Sequence, residues 1–118
     1  LAGISEDLAD ELYNEALKLN MSVIVEVHTV DEAKISLKYT EALIGINNRN
    51  LKTLKTDINT TYDIHNILSN HKSPLISESG IKNKDDILEI KNRTSIRTFL
   101  IGESILKNLE KNNIFSIL

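Results

Sequence analysis

The chain contains no cysteine, and only 4% of its residues are aromatic. Without cysteine, disulfide staples, thiolate catalysis and cysteine–zinc sites are excluded, and a reducing compartment fits the composition. So few aromatic rings leave little for stacking on nucleic-acid bases. A formal net charge of -3, with both signs spread throughout, offers no basic footprint for nucleic acid or an anionic membrane. No apolar run approaches the ~20 residues that cross a bilayer, and no signal-peptide pattern opens the chain. Three histidines without ligand spacing do not make a metal site. These absences predict a soluble, cytoplasmic protein with no nucleic-acid or membrane partner, no metal and no cofactor.

What is present is a recurrence. Four strand-like segments, VIVEVH, LIGINNRN, PLISESG and FLIGES, each end in polar residues or glycine. Apolar strand cores with functional tips are the pattern of parallel strands whose C-terminal ends build a site. Three of the four glycines (Gly45, Gly80 and Gly102) are expected at these tips, where backbone turns sharply or approaches a ligand closely.

Helices alternate with these strands. Residues 5–19 read as a helix capped by Ser5, with Leu8, Leu12, Ala16 and Leu19 on one face. A strand over 23–27 follows. Thr29 and Glu32 match a capping box that starts a helix running from Val30 to about Tyr39. Residues 43–46 form the next strand, and a loop over 47–56 leads to Asp57 as the cap of a helix carrying Ile58, Tyr62, His65 and Leu68. Pro74 opens a strand over 75–77. Asn83 caps a helix with Ile87 and Ile90, a last strand spans 98–101, and a last helix spans 104 to about 111. This order predicts an α/β fold with a parallel sheet and right-handed crossovers. A complete domain of this kind normally begins with a strand, whereas this chain opens on a helix.

Side chains alternate across a strand. Ile24, Glu26 and His28 therefore share one face, as do Leu43, Gly45 and Asn47, then Ile76 and Glu78, then Leu100 and Gly102. If these faces point to a barrel axis, Glu26, Asn47 and Glu78 converge at one mouth with Leu100 and Gly102 beside them. Two carboxylates and an amide can divide acid–base work and substrate orientation. The turns after the last two strands, Ser79-Gly80-Ile81 and Gly102-Glu103-Ser104, offer backbone N–H groups near helix N-termini, which suits an anion. Arg49 is a loop cation able to clamp an anionic group. His28 reads as a neighbour of the next helix cap, His65 as packing, and His71 as a loop residue without a partner.

At these residues the sequence resembles the indole-3-glycerol phosphate synthase family. VIVEVHTVDEA, ALIGINNRNLKTLKTD, LISESGI and FLIGESIL occur in the family's order and at similar spacing, from about Leu8 to Leu109. The resemblance implies a (β/α)8 TIM barrel, with residues 1–118 as its C-terminal half (strands five to eight) and strands one to four absent. It implies a lyase of tryptophan biosynthesis that closes the ring of 1-(2-carboxyphenylamino)-1-deoxyribulose 5-phosphate and releases carbon dioxide and water. It implies Glu26, Asn47 and Glu78 as catalytic residues and Arg49, Ser79 and Leu100 as substrate-binding ones. Gly80, Gly102 and Glu103 would cradle the phosphate through main-chain N–H groups, with the Glu103 carboxylate turned away. The family's general-acid lysine belongs to the absent half, so the chain alone is expected to be inactive. The missing half-barrel, or a second copy, is the expected partner; the alternative is a non-catalytic phosphate-binding half-barrel that self-associates. A phosphoribosyl isomerase barrel is disfavoured, because those enzymes use aspartate or cysteine where these tips carry Glu, Asn and Glu.

Overall fold

A computed structural model describes residues 1–102 of the 118-residue chain. Within them α1 (Glu6–Lys18), β1 (Ile24–Val27), α2 (Val30–Ser36), β2 (Leu43–Asn47), α3 (Asn59–Leu68), β3 (Leu75–Glu78), α4 (Lys84–Arg93) and β4 (Thr98–Leu100) follow in order. The four strands form one parallel sheet in the order β1-β2-β3-β4. This is half of a (β/α)8 barrel. The expected last helix and Glu103 lie outside the described residues.

Local chemistry sets the helix starts. Ser5 accepts from Leu8 N, Thr29 from Glu32 N and Asn83 from Asp86 N, each satisfying an N–H that the first helical turn leaves unpaired. At Thr29 the capping box closes one residue early: the Glu32 carboxylate takes the N–H of His28, at 3.1 Å. α3 departs from expectation, because its cap position falls on Ile58, whose apolar side chain makes no cap hydrogen bond. Asp57 instead takes the N–H of Asn59 at 2.9 Å, so its carboxylate still serves the helix entrance.

α2 ends at Ser36 rather than near Tyr39. Residues 37–39 continue in tighter turns, with Leu37, Lys38 and Tyr39 donating to carbonyls three residues back. That tightening turns the Tyr39 ring into the core, where it packs edge-on against Tyr13 at 4.9 Å and donates to Asp10 at 2.8 Å.

The core lies between the helices and the outward face of the sheet, where Val27, Ile44 and Ile46 meet Ala33, Ile64, Leu68, Ile87 and Ile90. α1 does not bury the expected face. Ala9 and Tyr13 turn inward, whereas Leu8, Leu12 and Leu19 remain exposed. The opposite face of the sheet, lined by Glu26, Gly45, Asn47, Ile76 and Glu78, is the concave side that holds the candidate site.

Candidate functional site

Two adjacent rows of the concave face carry the polar residues. Glu26, Gly45, Ile76 and Thr98 are register partners across the four strands, and Asn47, Glu78 and Leu100 form the next row toward the strand tips. Strand alternation places all of these on one side. Gly45 therefore lies inside β2, two residues short of its tip, rather than at the tip as expected.

The Glu26 carboxylate reaches up one row and accepts from Asn47 Nδ2 at 3.0 Å. The Asn47 amide is held in turn, because its Oδ1 accepts from Arg49 N at 2.9 Å. Glu78 is 4% exposed and folds back over Gly45 toward Glu26. Its burial, together with the hydrogen bond and charge of Glu26, pushes the Glu78 carboxyl from 4.5 up to about 8. A carboxylate in so dry a place beside another carboxylate is unstable, so the pair keeps one proton at neutral pH. Chemically this is a base and an acid in one contact. Of the two acids it is Glu26 that Asn47 holds by a donated hydrogen bond.

Ser79 and Gly80 leave β3 through two left-handed residues, with φ of 64° and 73°. At Gly80 a Cβ would also meet Thr56 Cβ at 3.1 Å, so both conformation and space demand glycine there. In the following loop Lys82 N donates to Asp86 at 2.8 Å. Arg49 donates from Nη1 to the carbonyl of Leu54 at 2.9 Å, which ties its guanidinium to its own loop. With His28, Glu32, Asn47 and Lys52 it borders a rim cavity of about 710 Å³. Leu100 is exposed at the end of β4, and a Cβ at Gly102 would meet no described atom within 4 Å.

The sequence reading missed Asn48. It is 2% exposed and joins three elements. Its Nδ2 donates to the carbonyls of Glu78 and Ser79, both at 3.0 Å, and to Ser77 Oγ at 3.2 Å. Its Oδ1 accepts from Thr61 N at 3.1 Å and Thr61 Oγ1 at 2.8 Å. This buried brace fixes the Ser79–Gly80 turn to β2 and to the start of α3. Its sequence signal is the polar residues Ser77 and Asn48 at outward positions, where the rest of the strand face is apolar.

The histidines divide. His28 lies beside the α2 cap as expected, its Nδ1 3.3 Å from the Glu32 carboxylate. His65 contacts Ser95 Oγ at 3.2 Å, and desolvation holds its pKa below the usual histidine value. His71 does have partners, contrary to expectation: Nδ1 accepts from Ser73 N at 3.2 Å and Nε2 lies 3.3 Å from the Tyr39 carbonyl. The buried turn at Tyr39 brings that carbonyl within reach, which no local pattern around His71 announces. Among the described residues no group of three His, Asp or Glu side chains is placed to hold a metal ion, and no helix is long and apolar enough to cross a membrane.

Comparison with known proteins gives a consistent result. The family model described as indole-3-glycerol phosphate synthase matches residues 1–117. The chain is 37% identical over 115 residues to the indole-3-glycerol phosphate synthase of Bacillus mycoides (strain KBAB4), a match covering 98% of this chain and 45% of that protein. Proteins of the same name from Bacillus anthracis (strain A0248) and Bacillus cereus (strain AH187) are 36% and 34% identical, with the same coverage. The chain thus spans about half the length of the curated relatives it matches.

Proposed function

The chain belongs to the indole-3-glycerol phosphate synthase family, and from that premise we propose that it forms strands five to eight of a barrel that makes indole-3-glycerol phosphate. The substrate is 1-(2-carboxyphenylamino)-1-deoxyribulose 5-phosphate, and the products besides the indole are carbon dioxide and water. The observation that carries this reading is the contact of Glu26, Asn47 and Glu78 on the concave face, at the positions where the family resemblance puts its catalytic groups.

Ring closure puts a proton on the substrate carbonyl oxygen, and decarboxylation returns its electron pair to the ring without a proton. Dehydration gives a proton to the leaving hydroxyl and takes one from the new ring, so the site needs a group that takes a proton and a group that gives one. Glu26, held by Asn47, is the acceptor. Glu78, protonated at neutral pH, is a donor or a hydrogen-bonding partner for a substrate hydroxyl. Asn47 orients those hydroxyls, while Arg49, Ser79 and Leu100 contact the rest of the substrate. The phosphate rests on main-chain N–H groups at Gly80, Gly102 and Glu103. The general acid at the substrate carbonyl is a lysine of the other half of the barrel. No lysine of the described strands sits on the concave face, so the 118 residues alone are inactive.

Glu26→Gln tests the assignment in a protein that joins this chain to the other half. The exchange removes a charge and little packing, so kcat falls by orders of magnitude while the circular-dichroism spectrum and unfolding midpoint stay in place. An unchanged rate removes Glu26 from the mechanism.

The open edges of β1 and β4, with Ile24 and Leu100 exposed there, favour a second reading. In it two copies of the half-barrel close one sheet and bind phosphate without chemistry. Sedimentation of the isolated chain as a dimer that binds phosphate, together with no turnover after joining the other half, would select it.

A further inference from the structure

The glycine of β2 has no conformational reason to be glycine. Gly45 pairs in register with Glu26 on one side and Ile76 on the other, inside an unbroken strand, and its φ is not left-handed. Any residue can adopt that backbone. What a side chain cannot have there is room. A Cβ at Gly45 would lie 2.2 Å from Glu78 Oε1 and 2.8 Å from Glu78 Cδ, with Ile24 Cγ2 next at 3.3 Å.

We infer that Gly45 is a positioning residue for the carboxyl pair: its missing side chain is the seat into which Glu78 folds from the tip of β3 to meet Glu26. Glu78 starts one register row above Glu26 and two strands away, because β2 lies between β1 and β3. The carboxyl must therefore cross β2, and the only row it crosses is the one where β2 carries no Cβ. The groups facing Glu78 are few. β1 presents Glu26, β2 presents Asn47 and the bare Gly45, and β4 presents Leu100 and Thr98, neither ionisable. The chain's amino group, on Leu1, donates to the main-chain carbonyl of Glu26 at 2.6 Å. Glu26 is thus the one acidic side chain facing Glu78 among the described residues.

The clashing atoms are the far end of a flexible side chain, and this sets the sign of the effect. Gly45→Ala does not need to unfold the sheet, because swinging the Glu78 carboxyl away makes room. The variant then keeps its fold and loses the carboxyl contact. A merely structural glycine would behave the other way, losing stability and leaving Glu78 as it was.

The inference deepens the proposed site, but its test needs no turnover, so either can fail alone. The side-chain carboxyl carbons of Glu26 and Glu78, assigned through Glu26→Gln and Glu78→Gln, are followed by carbon-13 NMR as pH is raised. In the parent protein Glu78 titrates near 8, and in Gly45→Ala it moves down toward the ordinary 4.5. Equal titration of Glu78 in both proteins overturns the inference. If Gly45→Ala does not fold, the double variant Gly45→Ala/Glu78→Ala decides. Recovery of the fold supports the seat, and no recovery shows that something other than Glu78 limits the site.

Discussion

A carboxyl group nine-tenths or more out of water, facing a second carboxyl, makes the stability of this protein depend on pH. Glu78 binds its proton more tightly in the folded chain than in the unfolded one, since its pKa rises from 4.5 to about 8. Between those values the folded state holds more protons than the unfolded state, so stability falls as pH rises. The slope is at most about 1.4 kcal/mol per pH unit for one proton. Below 4.5 both states are protonated and the contribution is constant; above 8 it has been lost. Urea midpoints measured at pH 5 and pH 8 check this. The drop across that interval shrinks in Glu78→Gln, which stays neutral throughout. A drop of the same size in both proteins would assign it to other groups. At this scale much was legible in the sequence. Alternation alone put Glu26, Asn47 and Glu78 on one face, and the register confirms their neighbouring rows. The raised pKa of Glu78 was not legible, because it depends on how far Glu78 folds back over Gly45.

At the scale of elements, the site rests on how β2, β3 and α3 are fastened together. Asn48 carries that connection through five hydrogen-bond partners in a fully buried setting. Truncating it strands several of them without water, and each unsatisfied buried group costs about 1–3 kcal/mol. Asn48→Ala should therefore lower unfolding free energy by roughly 3 kcal/mol, and the turn at Ser79 and Gly80 should lose order with it. Chemical denaturation measures the first effect. A loss under about 0.5 kcal/mol, typical of an unimportant surface change, would contradict the brace. Strands and the starts of α1, α2 and α4 could be read from sequence because caps and apolar runs are local signals. The end of α2 could not, because Tyr39 leaves the helix to meet Tyr13 and Asp10 on α1, a contact 26 to 29 residues away. The face of α1 was misjudged for a similar reason. Periodicity marks Leu8, Leu12 and Leu19 as apolar, but it does not say which neighbour covers them.

On the scale of the whole molecule, the sheet of the described residues ends in two open edges, and large apolar side chains stay uncovered near both. Ile24 on β1 and Leu100 on β4 are 55% and 60% exposed, and Leu12 on α1 is 56% exposed. Surfaces of this kind associate. The isolated 118 residues should sediment above 13.3 kDa at micromolar concentration, whereas a polypeptide that also carries the other half should not need a second copy. A monomer with undiminished stability would show that the edges are self-sufficient. The fold class was legible because alternating strands and helices leave few topologies open. The half-barrel reading drew on the opening helix as well as on the family resemblance, and the chain covers 45% of the length of these relatives.

The most direct test joins this chain to the N-terminal half of the Bacillus mycoides relative, to which it is 37% identical. Turnover of 1-(2-carboxyphenylamino)-1-deoxyribulose 5-phosphate is then followed by the appearance of indole-3-glycerol phosphate. Product from the folded chimera, none from either half alone, and a rate orders of magnitude lower in the Glu26→Gln chimera are the expected results. A folded chimera that binds phosphate but forms no product would contradict the assignment of Glu26, Asn47 and Glu78 as a catalytic mouth.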